Sequence, residues 1–188
     1  MSTTQEIKRG SVLISEPYLS DPNFSRSVVL VIETGEDGHF GLVLNQQLLE
    51  SKLSDFLNLD LDKGNPDVYF GGPVEPESLH YIHTLGDRVK GSIKITDSLY
   101  YGGEFEHLKM LLELGELGEN DVRFFIGYSG WSKGQLEQEQ KVNSWLVSNL
   151  EHLNVFEKDS EKLWQNVLRN MGGKFKVISN YPIDPNLN

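Results

Sequence analysis

Short apolar runs separated by turn residues fill the first half of the chain, a pattern that predicts strands. Residues 26–33 are apolar and β-branched, which predicts a strand buried on both faces, and residues 39–45 predict a second strand. Asp37-Gly38 lies between them and is typical of a hairpin turn. The same reasoning predicts further strands over residues 11–14, 68–70, 79–84, 92–95, 122–127 and 175–178.

Apolar residues at intervals of three and four predict helices, most of them in the second half of the chain. Residues 160–171 follow Asp159, a good N-cap, and precede Gly172-Gly173, which predicts the C-terminal stop. Two further helices are predicted over residues 51–57 and 134–150. A helix over residues 104–114 would face inward with Phe105, Leu108, Leu111 and Leu112.

Hairpins dominate the first half, and helices are interspersed with strands in the second half. This order predicts an α+β fold with a largely antiparallel or mixed sheet, rather than a doubly wound parallel sheet. A chain of 188 residues with no low-complexity linker is expected to form a single domain over residues 1–188. A chain of this length needs neither a disulfide nor a metal to fold.

Composition and charge argue against several classes of function. The chain has no cysteine, which excludes a thiolate nucleophile and thiolate-ligated metal sites and fits a cytoplasmic location. Its 17 basic and 28 acidic residues give a formal charge of −11, so we do not expect direct binding to nucleic acid or to an anionic membrane. The longest uninterrupted apolar run, residues 28–32, is far too short to predict a membrane-spanning helix.

Three motifs resemble catalytic or ligand sites, but each lacks an essential part. Ser129 lies between a strand and a predicted helix like the serine of a nucleophile elbow, yet Trp131 replaces the last glycine of that motif. His80 and His83 are three apart on a predicted strand, so they point to opposite faces and are poorly placed to share a metal ion. Gly71-Gly72-Pro73 ends in a proline, which lacks the N–H that a phosphate loop needs. We therefore assign no catalytic residue, metal or cofactor to these motifs.

The most informative segment is residues 124–139, where three glycines precede the start of a helix. Ser132 and Gln135 match the S-x-x-Q capping box. If residues 134–150 form one helix, its inward face carries Val142, Leu146 and Leu150, and also Gln135, Glu139 and Asn143. A carboxylate that faces inward needs partners. Two alternatives stay open: Glu139 anchors the glycine-rich loop through its amides, or it lines a cleft.

We expect a polar cleft where a loop over residues 127–134 packs beside Asp21-Pro22 and Asn45. Loops gather at strand ends, and loops held by a rigid scaffold commonly carry function. Trp131 would be an apolar wall of this cleft or a core residue. The candidate cleft residues are Asp21, Asn45, Gly130, Trp131, Gln135, Glu139 and Asn143.

Four motifs, in order over nearly the full chain, resemble the AlgH/YqgE family of bacterial proteins. They lie at residues 10–30, 41–45, 68–74 and 127–145, and the last reads G-Y-x-G-W-x-x-G-Q-L-E-x-E. The resemblance implies an α+β fold whose bifurcated sheet curls into a pseudo-barrel with flanking helices. Residues 100–103 depart from the Thr/Ser-rich stretch of many members, and Ser129 departs from their alanine. Members are often labelled transcriptional regulators, but the resemblance transfers no ligand, cofactor or catalytic role to particular residues.

Three hypotheses of function follow. The first is a non-enzymatic regulatory or binding protein with a protein or small-molecule partner, because no motif carries reactive chemistry. The second is a hydrolase-type enzyme that uses Asp21 and Glu139 as acid and base, which requires environments that separate their pKa values. The third is direct DNA binding, which the family label suggests and the acidic composition opposes.

Overall fold

The computed structural model describes residues 5–59, 61, 64–151, 153–157 and 159–183. Its strands are β1 (Val12–Ser15), β2 (Val28–Gly35), β3 (Gly38–Val43), β4 (Gln47–Lys52), β5 (Asp67–Phe70), β6 (Val74–His83), β7 (Ile93–Lys94), β8 (Tyr100–Tyr101), β9 (Val122–Ser132) and β10 (Trp145–Ser148). Its α-helices are α1 (Phe105–Leu114), α2 (Gln135–Lys141), α3 (Ser160–Met171) and α4 (Gly173–Ile178). Short 3-10 helices cover Pro22–Phe24, Leu53–Asp55 and Gly86–Arg88.

The strands form one mixed sheet in the order β10-β1-β2-β3-β9-β6-β8-β7, with β5 and β4 off this path. The pairs on the path are antiparallel, whereas β5 pairs with β9 in parallel. The first half of β9 pairs with β5 and the second half pairs with β3, so the sheet divides at this strand. The α+β fold and the mixed, largely antiparallel bifurcated sheet are therefore confirmed, and among the described residues the sheet stays open rather than closing into a barrel.

The segment predicted as a glycine-rich loop is largely strand, because β9 continues from Val122 through Ser132. Gly127 has a φ of +67°, and a Cβ built on it would lie 2.4 Å from the carbonyl oxygen of Gly72. A Cβ on Gly72 would lie 2.2 Å from the backbone of Tyr128. These glycines let two stretches of backbone approach closely. Close approach can require glycine in a strand as well as in a loop, so the glycines alone did not distinguish the two.

The helices over residues 104–114 and 160–171 are confirmed within one residue, and Gly172 ends the second with a φ of +70°. Three other predictions are wrong. The helix predicted over 134–150 ends at Lys141, because residues 145–148 pair with β1. Residues 175–178 belong to α4 rather than to a strand, and residues 51–57 hold the end of β4 and a 3-10 turn. No helix in the described ranges is both long enough and apolar enough to cross a membrane.

The core lies on both faces of the sheet. One cluster joins Leu30 of β2 to Trp164 and Leu168 of α3. On the opposite face a second cluster joins Val29 and Val31 to Trp131, Trp145 and Leu136 of α2, and α1 packs Leu108 and Leu112 against Phe124 in a third. Residues 28–32 are fully buried, which confirms the prediction of a strand buried on both faces. The C-terminal half of β9 pairs with β3 and, at Tyr128, with β6, and its Trp131 lies in one core cluster with Leu136 of α2.

Candidate functional site

Glu139 binds two tryptophans through one carboxylate oxygen. Its Oε2 accepts the indole N–H of Trp131 at 3.0 Å and that of Trp145 at 2.7 Å. Its Oε1 accepts the side-chain amide of Gln135 at 2.9 Å, and the Gln135 amide oxygen accepts the backbone N–H and the hydroxyl of Ser132, each at 3.1 Å. The carboxylate therefore has the partners that its inward direction requires, and it links β9, α2 and β10.

An aromatic cluster surrounds this carboxylate. Trp131 and Trp145 pack edge to face with ring centroids 5.8 Å apart. Phe24 stacks on Trp131 at 6.0 Å and meets the edge of Trp145 at 5.5 Å. Phe24 closes the short helix that begins after Asp21, so this segment contacts the end of β9 through Phe24, a residue that the prediction of a cleft at Asp21-Pro22 did not include.

The other predicted cleft residues have separate roles. The exposed carboxylate of Asp21 caps its own turn by accepting the backbone N–H of Asn23 at 2.9 Å. Asn45 is buried, accepts the backbone N–H of Val28 at 2.8 Å and donates to the carbonyl of Arg26 at 2.9 Å. Asn143 is exposed, with a φ of +62°, in the turn after α2. Of the seven predicted residues, the structure joins Trp131, Gln135 and Glu139 directly by hydrogen bonds.

Arg26 joins the first motif to α3 and the C-terminal segment, a role that the sequence did not indicate. Its backbone has a φ of +48°, which is uncommon for a side chain with a Cβ, and Asn45 holds its carbonyl. Its guanidinium lies 4.8 Å from the ring centroid of Trp164 and donates to the carbonyls of Tyr181 and Pro182 at 2.7 and 2.5 Å. The first motif thereby contacts the C-terminal segment, a contact across more than 150 positions that no local pattern signals.

An open cleft of about 730 Å³ lies beside the β2–β3 hairpin and the end of β9. Phe40 of β3, Tyr101 of β8 and Tyr128 of β9 give it an aromatic wall. The cleft shares Gly130 and Trp131 with the predicted site. The remaining lining residues are Arg9, Glu33, Thr34, Gly35, Glu36, Asp37, Gly38, His39, Val74 and Ser132.

A chain of hydrogen bonds begins at Tyr101 of the aromatic wall. The Tyr101 hydroxyl lies 2.8 Å from His80 Nδ1, His80 Nε2 lies 2.8 Å from the Ser78 hydroxyl, and Ser78 donates to the carbonyl of Glu75 at 2.7 Å. Burial raises the pKa of Tyr101 to about 12, with the charge of Glu33 adding to the effect. Burial also lowers the pKa of His80, against an opposing effect of Glu75. Because the Ser78 hydroxyl donates to the Glu75 carbonyl, it accepts a hydrogen bond from Nε2–H of the neutral imidazole, and Nδ1 accepts the hydrogen bond of the Tyr101 phenol.

Ser129 and His83, from the motifs to which no chemistry was assigned, form hydrogen bonds within the fold. Ser129 is fully buried and donates to the carbonyl of Gly71 at 3.0 Å. His83 is buried and lies 3.0 Å from both the Ser92 hydroxyl and the Gly102 carbonyl. His39, which the sequence did not single out, contacts Glu137 at 2.9 Å and ties β3 to α2, and this bond lowers the pKa of Glu137. Within the described ranges no three His, Asp or Glu side chains are grouped as a metal site.

Comparison with known proteins gives one consistent family. The model of a family described as AlgH-like matches residues 12–176. A UPF0301 protein of Cytophaga hutchinsonii is 46% identical over 97% of this chain and 100% of its own, and one of Parabacteroides distasonis is 41% identical over 96% and 91%.

Two solved structures share the fold. The crystal structure of a protein from Corynebacterium diphtheriae has a TM-score of 0.76 at 24% identity and covers 94% of each chain. The solution structure of the AlgH protein from Pseudomonas aeruginosa has a TM-score of 0.71 at 24% identity and covers 97% of this chain and 98% of its own. At this identity the likeness establishes the fold alone.

Proposed function

The chain belongs to the AlgH-like family, and from that premise we propose that it is a non-enzymatic regulatory protein that acts by binding a small ligand in the cleft beside the β2–β3 hairpin. The cleft carries this proposal. It is an open cavity of about 730 Å³, within the size range of small-molecule sites, with aromatic side chains on one wall and a few charged groups at its rim.

The state of the reactive side chains supports binding rather than catalysis. Both oxygens of Glu139 accept hydrogen bonds from Trp131, Trp145 and Gln135, so this carboxylate is engaged in holding the fold. Asp21 is engaged in its own turn. A pair of carboxylates that acts as acid and base needs two different environments around one substrate, and these two side chains have separate sets of partners.

Regulation through a ligand also suits the charge of the protein. A formal charge of −11 repels a phosphate backbone at long range. Three acidic residues, Glu33, Glu36 and Asp37, also line the cleft and would repel a phosphate group there. We therefore place any effect on transcription downstream of ligand or protein binding, without contact between this chain and DNA.

A hydrolase is the second candidate, and the chain of Ser78, His80 and Tyr101 is the observation in its favour. Serine and imidazole lie within hydrogen-bond reach, and a third group orients the imidazole, which is the arrangement of an activated nucleophile. The proton positions oppose this reading, because Nε2 donates to Ser78 and the Ser78 proton is directed to the Glu75 carbonyl. A fluorophosphonate probe tests it: labelling that Ser78→Ala abolishes would favour the enzyme, and we expect the wild-type protein to stay unlabelled.

A thermal-shift screen against a metabolite library tests the binding proposal, because a ligand that binds only the folded state raises the melting temperature. Thr34→Trp places a bulky group at an exposed strand position in the cleft, and Leu49→Trp makes a comparable change on β4, where Leu49 is 79% exposed outside the cleft. We expect ligands that stabilise the wild type and Leu49→Trp but not Thr34→Trp. Equal stabilisation of both variants, or chemical conversion of the ligand, would overturn the proposal.

A further inference from the structure

We infer that the ligand of this cleft is a small organic cation that carries an alkylammonium group. The inference rests on the proposed function and adds the chemical class of the ligand to it. Two independent features of the cleft support it: an aromatic wall formed by side chains from separate strands, and an excess of carboxylates at the rim.

Phe40 is the centre of the aromatic wall. Its ring centroid lies 4.9 Å from that of Tyr128, 5.5 Å from that of Tyr101 and 5.4 Å from the imidazole of His80. The rings are inclined to the Phe40 ring by 48° to 63° rather than stacked flat on it. All four side chains are partly exposed at the surface of the sheet. Aromatic rings attract a cation through their negative faces, and alkylammonium groups are ligands of such surfaces.

The charged groups around the wall leave a surplus of negative charge. Among the described residues that line the cleft, three are carboxylates, Glu33, Glu36 and Asp37, and one is a Lys or Arg, Arg9. Arg9 lies 4.0 Å from Glu33 and donates through Nε to the carbonyl of Ile32, so its charge faces Glu33. Glu36 and Asp37 form no ion pair with a described residue, so they add two further negative charges at the hairpin end of the cleft, which attract cations and repel anions.

Both features together select a cation over the other ligand classes. The surplus carboxylates would repel an anion. A neutral apolar ligand would contact the aromatic rings, but it would remove water from the carboxylates without pairing their charge. An alkylammonium ion gains ring contact and charge pairing at once. The negative field also reaches the wall itself, since Glu33 contributes to the raised pKa of Tyr101 and Glu75 opposes the lowering of the pKa of His80.

Choline and its neutral isostere 3,3-dimethylbutan-1-ol separate charge from shape, because a quaternary carbon replaces the nitrogen. Isothermal titration of the full chain should show choline bound at least fivefold more tightly than the alcohol, with an affinity that falls between 50 and 500 mM NaCl. Equal binding of the two compounds, or no detectable binding of choline, overturns the inference.

Two sets of variants assign the binding to the cleft. Phe40→Leu keeps an apolar side chain but removes the central ring, and it should weaken choline binding at least fivefold. Glu36→Gln combined with Asp37→Asn removes two exposed rim charges. This double variant should weaken the binding of choline and leave the binding of 3,3-dimethylbutan-1-ol unchanged. Glu106→Gln combined with Glu113→Gln changes the net charge equally on the exposed side of α1 and should leave choline binding unchanged.

The outcomes keep this inference distinct from the proposed function. If the rim pair and the α1 pair weaken choline binding equally, the attraction is a property of the whole surface and the inference fails. If choline does not bind while the screen yields a neutral or anionic ligand that Thr34→Trp excludes, the cation inference fails and the binding function stands. If the screen yields no ligand that Thr34→Trp excludes, the binding function itself fails.

Discussion

The Oε2 atom of Glu139 accepts the indole N–H of Trp145 at 2.7 Å, and this bond joins the end of α2 to β10. The same oxygen accepts the indole of Trp131 at 3.0 Å, so one carboxylate fixes two large side chains that pack against each other. Charge-assisted hydrogen bonds of this kind are stronger than neutral ones. The carboxylate thus stabilises the junction of β9, α2 and β10, next to the cleft.

Glu139→Gln should lower the free energy of unfolding by about 1–3 kcal/mol, because the indoles lose a charged acceptor and an amide group replaces one oxygen. Urea unfolding measures the effect, with Glu106→Gln at an exposed position of α1 as the control for loss of a carboxylate. In a Trp145→Phe background, which already lacks one donor, Glu139→Gln should be less destabilising. Equal effects in the two backgrounds would contradict a shared network.

Asn143 should act through its backbone and not through the Glu139 network. Its φ of +62° is accessible to glycine without strain, whereas alanine pays about 1–2 kcal/mol there. We expect Asn143→Ala to lower stability by about 1 kcal/mol and Asn143→Gly to stay within about 0.5 kcal/mol of the wild type in urea unfolding. If both substitutions destabilise the protein equally, the Asn143 side chain itself is required.

The limits of sequence-based prediction are clear at β10. Residues 142–150 continue a helical pattern of apolar positions, so the local signal favours a long helix. The chain instead turns at Asn143, and Trp145 pairs with Ser15 in β1, a partner 130 positions away. Pairing between distant strands overrides local periodicity, and a single sequence carries no direct record of it.

For the site, the sequence identified what Glu139 needs but not what supplies it. An inward carboxylate with no partner is too unfavourable to persist, so hydrogen bonds to Glu139 could be predicted. Of the two alternatives that the sequence left open, anchoring assigned backbone amides of a loop as the donors, whereas the donors include the indoles of Trp131 and Trp145. Tyr101 of the aromatic wall could not be placed either, because β8 is two residues long and its partners, β6 and β7, are set by the fold rather than by a local pattern.

Gly127 and Gly134 allow a matched test of close backbone approach. Both have positive φ, +67° and +76°, so alanine is strained at each by about 1–2 kcal/mol. A Cβ at Gly127 would lie 2.4 Å from the Gly72 oxygen, whereas nothing lies within 4 Å of a Cβ at Gly134. In urea unfolding, Gly127→Ala should therefore lower the free energy of unfolding by about 1–3 kcal/mol more than Gly134→Ala does. Equal losses would show that β9 does not approach the 71–74 segment so closely.

His80 and His83 should make the protein less stable as the pH falls below neutrality. Burial lowers the pKa of both histidines in the folded protein below the ordinary value of 6.5. Above pH 6.5 both are neutral in the folded and unfolded chains, and their contribution to stability is fully present. Between pH 6.5 and the lowered folded pKa values the unfolded chain binds more protons, so the free energy of unfolding falls with falling pH, by at most about 1.4 kcal/mol per pH unit for each histidine.

Proton NMR should place the titration midpoints of their C2–H resonances, assigned with His80→Gln and His83→Gln, below 6.5. Urea unfolding between pH 7.5 and 5 should show a smaller decline in the double variant than in the wild type. Midpoints at 6.5 would remove the effect, and midpoints above 6.5 would reverse its sign.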